Sequence, residues 1–196
     1  MSEQDLFELY QSRFKPMYAD LVAVTGEKSL VVDAQIESAM SHLAVSRTNG
    51  GGLARQANID AAYGHVVRAC ADAAKLYWLS RFKRVKFILN DDYVSRWCLN
   101  ISYGDFVRLH TEAEHAIKGA RRVDAETAGH DVEEVFQKYV LAIQKYEAIL
   151  ASVDPYKLDN IRPFRLLNIV KSQFIGFILG VCASIAATLL YEWWKS

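Results

Sequence analysis

The chain has 196 residues, with 23 basic and 23 acidic side chains and a net charge of zero. Hydrophobic residues make up 52%, aromatics 12%, and there are three prolines, which excludes extended disorder and leaves material for one ordinary core. Cys70, Cys98 and Cys182 form no CxxC pair, which argues against a disulfide framework or a zinc site.

The N-terminal MSEQDLFELY is acidic and lacks a basic region followed by an apolar run, so no signal peptide is expected. A first helix is predicted from about Gln4 to Val24, with Phe7, Tyr10, Phe14, Tyr18 and Leu21 as its apolar stripe. Pro16 is expected to kink or divide it, and Gly26 to end it. A second helix, from about Leu30 to Val45, carries Val32, Ile36, Ala39, Met40 and Leu43. The run Thr48-Asn49-Gly50-Gly51-Gly52 breaks the chain.

A long helix follows from about Gln56 to Leu89, with Tyr63, Val66, Val67, Cys70, Ala74, Tyr77 and Trp78 on its apolar face. Asn90-Asp91-Asp92 breaks it, and Trp97–Ser102 has no clear period. Two more helices are predicted, from about Tyr103 to Arg122 and from about Val132 to Ser152. The second has Val135, Phe136, Tyr139, Ile143, Tyr146 and Leu150 as its core stripe. Asp154-Pro155 closes this part of the chain. The expected fold is all-α: a cytoplasmic antiparallel helical bundle over residues 1–154, with a single C-terminal transmembrane helix.

Residues 155–171 form a connector rich in basic and apolar side chains, in which Phe164, Leu167, Ile169 and Val170 suit an interfacial entry or a plain linker. From Ser172 to Tyr191 the chain has no charge in 20 positions, and such a helix is about 30 Å long, the thickness of a bilayer's hydrocarbon core. Lys171 flanks it on one side and Glu192, Trp193, Trp194 and Lys195 on the other, leaving 192–196 as a short far-side tail. Lys157, Arg162, Arg165 and Lys171 precede the span, so the positive-inside rule puts the N-terminal part in the cytoplasm, at a bacterial inner membrane. Gly176, Gly180, Ser184 and Thr188 recur every four residues, a ridge of small side chains that lets spans pack closely or line a narrow pore.

Signatures of catalysis are weak. The glycine run at 50–52 lacks the P-loop lysine, and neither G-x-S-x-G nor H-E-x-x-H occurs. His110 and Glu114 have metal-ligand spacing but no third partner in view, and a solvated helix face explains them. The chain is therefore not expected to be an enzyme, and no cofactor is implied.

The strongest polar constellation is His65, Arg68, Asp72 and Lys75. At 100° per residue these lie within an arc of about 80°. They read either as a wet face laced by Arg68–Asp72 and Asp72–Lys75 pairs, or as an anion site in which Arg68 and Lys75 engage phosphates. Arg81, Lys83 and Arg84 follow. Between Ala61 and Asn90 six basic residues face one acidic, a local charge of +5. With Trp78, Phe82 and Phe87 interleaved, the stretch suits a short single-stranded nucleic acid, whose phosphates meet cations and whose bases meet rings. It would also suit an anionic membrane surface, or a core whose cations snorkel outward.

The layout, together with the helix segment Ala61-Ala62-Tyr63-Gly64-His65-Val66-Val67-Arg68 through Asp72-Ala73-Ala74-Lys75-Leu76, resembles the small single-span effectors of bacterial anti-phage operons, in particular the membrane effector of the Hailong system. The resemblance implies a homo-oligomeric channel held closed by a short DNA oligomer. It also implies an operon-encoded nucleotidyltransferase as the source of that oligomer. Two expectations compete with it: a tail-anchored scaffold that recruits a cytosolic partner, and a membrane-bound enzyme with an unfamiliar helical active site.

Overall fold

The computed structural model describes residues 1–48, 52–126 and 131–161, and beyond them 163, 166, 170, 173, 174, 176–181, 183–185 and 187. The described chain is helical, and its one sheet-like feature is an isolated antiparallel bridge. Helix α1 (Glu3–Leu9) starts at a capping box, in which Ser2 accepts from the Asp5 amide and Asp5 accepts from the Ser2 amide. A π-helical turn, Tyr10–Phe14, joins it to α2 (Lys15–Thr25). Pro16 lies in the first turn of α2. Proline has no amide to donate to residue 12 and its ring crowds that carbonyl, so the chain widens by one residue there rather than breaking.

The extra residue rotates α1 by about 100° relative to α2. The buried side chains upstream are therefore Leu6 and Leu9, not Phe7, which is exposed, while Phe14 and Leu21 are buried as expected. Gly26, at φ 76°, takes the left-handed position that ends α2.

Helix α3 (Leu30–Thr48) buries Val32, Ala39 and Leu43. Met40, read as core, is 61% exposed. Helix α4 (Gly52–Leu89) runs 38 residues, about 57 Å. It buries Ile59, Ala62, Val66, Ala69, Cys70, Ala73, Ala74, Tyr77, Trp78, Val85 and Ile88. These side chains spread over about half the helix circumference, because α3, α1 and α2 pack against α4 and so does α7. Four alanines in this set let the neighbours approach closely.

Asp91 caps α5 (Asp92–Trp97) by accepting from the Tyr93 and Val94 amides. Helix α6 (Tyr103–Glu126) packs on α7 (Val132–Ala151), which buries Val135, Phe136, Tyr139, Ile143 and Tyr146 as predicted, while Leu150, also expected in the core, is half-buried and Ile149 is buried. Asp154 caps α8 (Pro155–Asp159). The unassigned segment after α5 is pinned to the end of α7: Leu99 bridges Val153, the Asn100 amide donates to the Ser152 carbonyl at 2.8 Å and the Asp154 amide to the Cys98 carbonyl at 2.8 Å. The chain stays on the bundle past Asp154, with Leu158 packed against the core and Ile161 buried.

Among the described residues no helix is long and apolar enough to cross a membrane. The expected span at 172–191 falls partly outside them, Ser172, Ile175, Cys182, Ala186 and 188–191 included, as do most of the connector's apolar residues and the tail at 192–196. The described residues between 173 and 187 are helical.

Candidate ligand-binding site

Three of the four stripe residues meet in one place. Arg68, Ala71, Asp72 and Lys75 of α4, Asp124 of α6, and Val132, Val135 and Tyr139 of α7 line a cleft of about 190 Å³. It opens where the end of α6 and the start of α7 cross α4. The floor is apolar and the mouth holds two cations and two carboxylates. Among the described residues Asp72 makes no ion pair within 4.0 Å with Arg68 or Lys75, so the lacing expected along the helix is not formed.

Burial raises the Asp72 carboxyl above its ordinary value; Lys75 opposes this and Asp124 adds to it. Burial also pushes the Tyr139 hydroxyl up, against the pull of Arg121. The cleft thus offers two cationic side chains, a phenol that stays protonated and a carboxyl reluctant to ionise. A phosphate-sized anion fits that chemistry best when Asp72 carries its proton.

His65 is elsewhere. Its Nδ1 is 2.8 Å from Gln35 Oε1, and its ring stacks on His42 at 5.4 Å. Burial, then His42 and Arg68, lower its pKa, which favours the neutral ring. Arg81 is committed to the core instead. It is 14% exposed and paired with Glu147 at 2.5 Å, lies 5.0 Å from the Tyr77 ring centroid, and donates to the Tyr77 hydroxyl at 3.0 Å. Its position, one turn beyond Tyr77 on the buried face, was legible in the spacing. Lys83 and Arg84 are exposed and lie farther along α4, roughly 18 Å from Asp72 for Arg84 at 1.5 Å per residue.

Of the three interleaved rings, Trp78 and Phe82 belong to the core. Trp78 is buried and stacks on Phe82 at 5.5 Å. Phe82 stacks on Tyr146 at 6.1 Å, and Tyr146 on His110 at 5.9 Å. These rings tie α4 to α7 and α6, and only Phe87 stands clear of the core. His110 is lowered by burial, with Glu114 opposing. Among the described residues no cluster of three metal-ligating side chains forms.

Asp124 and Tyr139 escaped the sequence reading as site residues. Asp124 lies in an acidic segment and Tyr139 in a core stripe, and nothing local reports that either faces Asp72. In the C-terminal segment Gly176 and Gly180 face open space: a Cβ at either would meet nothing within 4 Å. Ser184 is exposed, and Thr188 lies outside the described residues. Comparison of the chain with family models, curated proteins and solved structures finds no match.

Proposed function

We propose that the chain is a non-enzymatic membrane effector of bacterial antiviral defence. In this reading a helical domain on the cytoplasmic side binds a short nucleic acid or nucleotide, single-stranded DNA by preference, and so controls a homo-oligomer of C-terminal spans. The observation that carries it is the surface of the C-terminal segment. Phe174, Phe177, Ile178, Leu179, Val181 and Ile185 are all largely exposed. At 100° per residue these side chains cover an arc of about 200°, and the rest of the circumference is the ridge of small residues that includes Gly176, Gly180 and Ser184. So wide an exposed apolar face is covered by lipid or by other helices. The open flanks of Gly176 and Gly180 suit contact with a second copy. Arg68 and Lys75 supply the anion-binding half, and the resemblance to the Hailong effector supplies the signal class and the partner nucleotidyltransferase.

The test is expression without an operon partner. Cells should depolarise, and truncation after Asn168 should abolish this while moving the protein to the soluble fraction. An intact membrane potential, read with a voltage-sensitive dye while the full chain sits in the membrane fraction, would reject the effector.

One observation favours the alternative, a tail-anchored scaffold. The cleft sets Asp72 and Asp124 against Arg68 and Lys75, so its formal charge is balanced at neutral pH. A scaffold would use such a mixed surface for a protein partner, and it predicts a detergent-solubilised monomer with no nucleic-acid absorbance.

A further inference from the structure

The C-terminal end of α4, helix α5, the last turn of α7 and helix α8 converge at one end of the bundle. There Phe87, Ile88, Val94, Leu150, Val153 and Leu158 line an almost wholly apolar groove of about 380 Å³, rimmed by Lys83 and Arg84. Phe87 is 62% exposed, Trp97 57% and Tyr156 78%. Lys83, Arg84 and Lys86 are exposed, and among the described residues none of them has an ion pair within 4.0 Å. Arg96 lies over the Tyr103 ring at 4.8 Å. Lys157 is held by Asp154 at 3.6 Å and Asn100 at 2.9 Å. The acidic groups near this end include Asp91, Asp92, Asp154 and Asp159, together with Asp105 and with Glu27, which lines a neighbouring cleft with Lys83; Asp91 and Asp154 cap α5 and α8, and Asp105 pairs with Arg108. The C-terminal segment leaves the bundle here, through α8 and the buried Ile161.

From this juxtaposition we infer that this end of the bundle is a membrane-docking face, seated on the headgroup layer of an anionic phospholipid bilayer. Phe87, Trp97 and Tyr156 enter the interface, and Lys83, Arg84 and Lys86 meet lipid phosphates. Exposed aromatic rings beside uncommitted cations are the chemistry of the bilayer interface, where rings sit at headgroup level and basic side chains are drawn to an anionic surface. Helix α8 belongs to this face and precedes the apolar C-terminal segment in the chain, so the same bilayer can take both. The inference rests on the membrane reading above, and it assigns Lys83 and Arg84 to lipid rather than to nucleic acid.

The full chain is reconstituted into phosphatidylcholine vesicles with and without phosphatidylglycerol, carrying an environment-sensitive fluorophore on Phe87→Cys or, as a control, on Leu53→Cys. Leu53 is exposed at the opposite end of α4, roughly 50 Å away at 1.5 Å per residue. A headgroup-attached quencher should suppress the label at 87 in anionic vesicles and leave the label at 53 bright. Joint Lys83→Glu, Arg84→Glu and Lys86→Glu substitution should remove that suppression. A chain that resists alkaline extraction yet shows no quenching at 87 overturns the docking face and leaves the span intact. A chain extracted from the vesicles overturns both. Loss of oligonucleotide binding in the triple variant, with quenching unchanged, overturns the inference in favour of a nucleic-acid surface.

Discussion

Arg81 of α4 reaches Glu147 of α7, its Nε 2.5 Å from a carboxylate oxygen, and Tyr77 donates to that same oxygen at 2.6 Å. One turn of α4 therefore presents a cation and a phenol to a single acceptor, clamping the central helix to α7. Arg81→Ala should destabilise the detergent-solubilised chain by about 1.5–3 kcal/mol, and Tyr77→Phe by about 1 kcal/mol. Urea unfolding should show the two losses to be less than additive, because they share Glu147. Undiminished oligonucleotide binding by Arg81→Ala would confirm that this residue belongs to the fold and not to the ligand.

Arg68 and Lys75 are the cations that α4 leaves at the cleft. Charge reversal at either should weaken binding of a short single strand, and each lost phosphate contact should lower the salt slope by about 0.7. Because Arg68 makes no close pair with Asp72, Arg68→Glu and Lys75→Glu should be comparably damaging. Titrations at several salt concentrations measure this, and a slope unchanged in both variants sinks the cleft as an anion site.

Asp72 links the cleft to pH. Its carboxyl is raised in the folded chain and titrates normally in the unfolded one. Below the ordinary carboxylate value both states are protonated and the group costs nothing. As pH rises through the ordinary and then the raised value, the unfolded chain loses its proton first, and stability declines until the folded value is passed. Asp72→Asn should therefore stabilise the chain at neutral pH and be nearly neutral below about pH 3.5. Anion affinity in the wild type should climb as pH falls through the raised value, and Asp72→Asn should flatten that climb.

The π turn sets the phase of α1. Deleting the exposed Gln11 should close it to an ordinary helical turn and rotate Leu6 and Leu9 out of the core. Losing that packing should cost at least about 2 kcal/mol, the low end for a buried leucine. Substituting Gln11→Ala keeps the residue count and should be almost silent in the same urea melts.

Gly180 tests self-association. Gly180→Leu fills space that is open in the single chain, so it should leave the bundle's thermal unfolding unchanged. In a small-residue contact it pushes helix axes apart, and light scattering in mild detergent should show the oligomer fall toward monomer. A wild type that is already monomeric removes the channel.

Several features follow from local sequence alone. Gly26 ends α2 because only glycine takes φ 76° without strain. Asp91, Asp131 and Asp154 start α5, α7 and α8 because a short acceptor satisfies amides that a new helix leaves free. The α7 stripe was legible because its buried residues all fall on one repeating face. Tertiary structure decided the rest. Pro16 announced a disturbance, but whether the chain breaks or widens depends on what packs against α1, and that choice moved burial from Phe7 to Leu6 and Leu9. Helix α4 is covered by α3 and by α7 together, so no narrow apolar stripe separates its core from its site. On that helix the same residue type, arginine, is a core clamp at 81, a cleft cation at 68 and a surface cation at 84. Spacing gives the angle of a side chain, whereas Glu147, Asp124 and Tyr139 lie some 50 to 70 residues away in sequence, and only the packing of helices brings them to their partners.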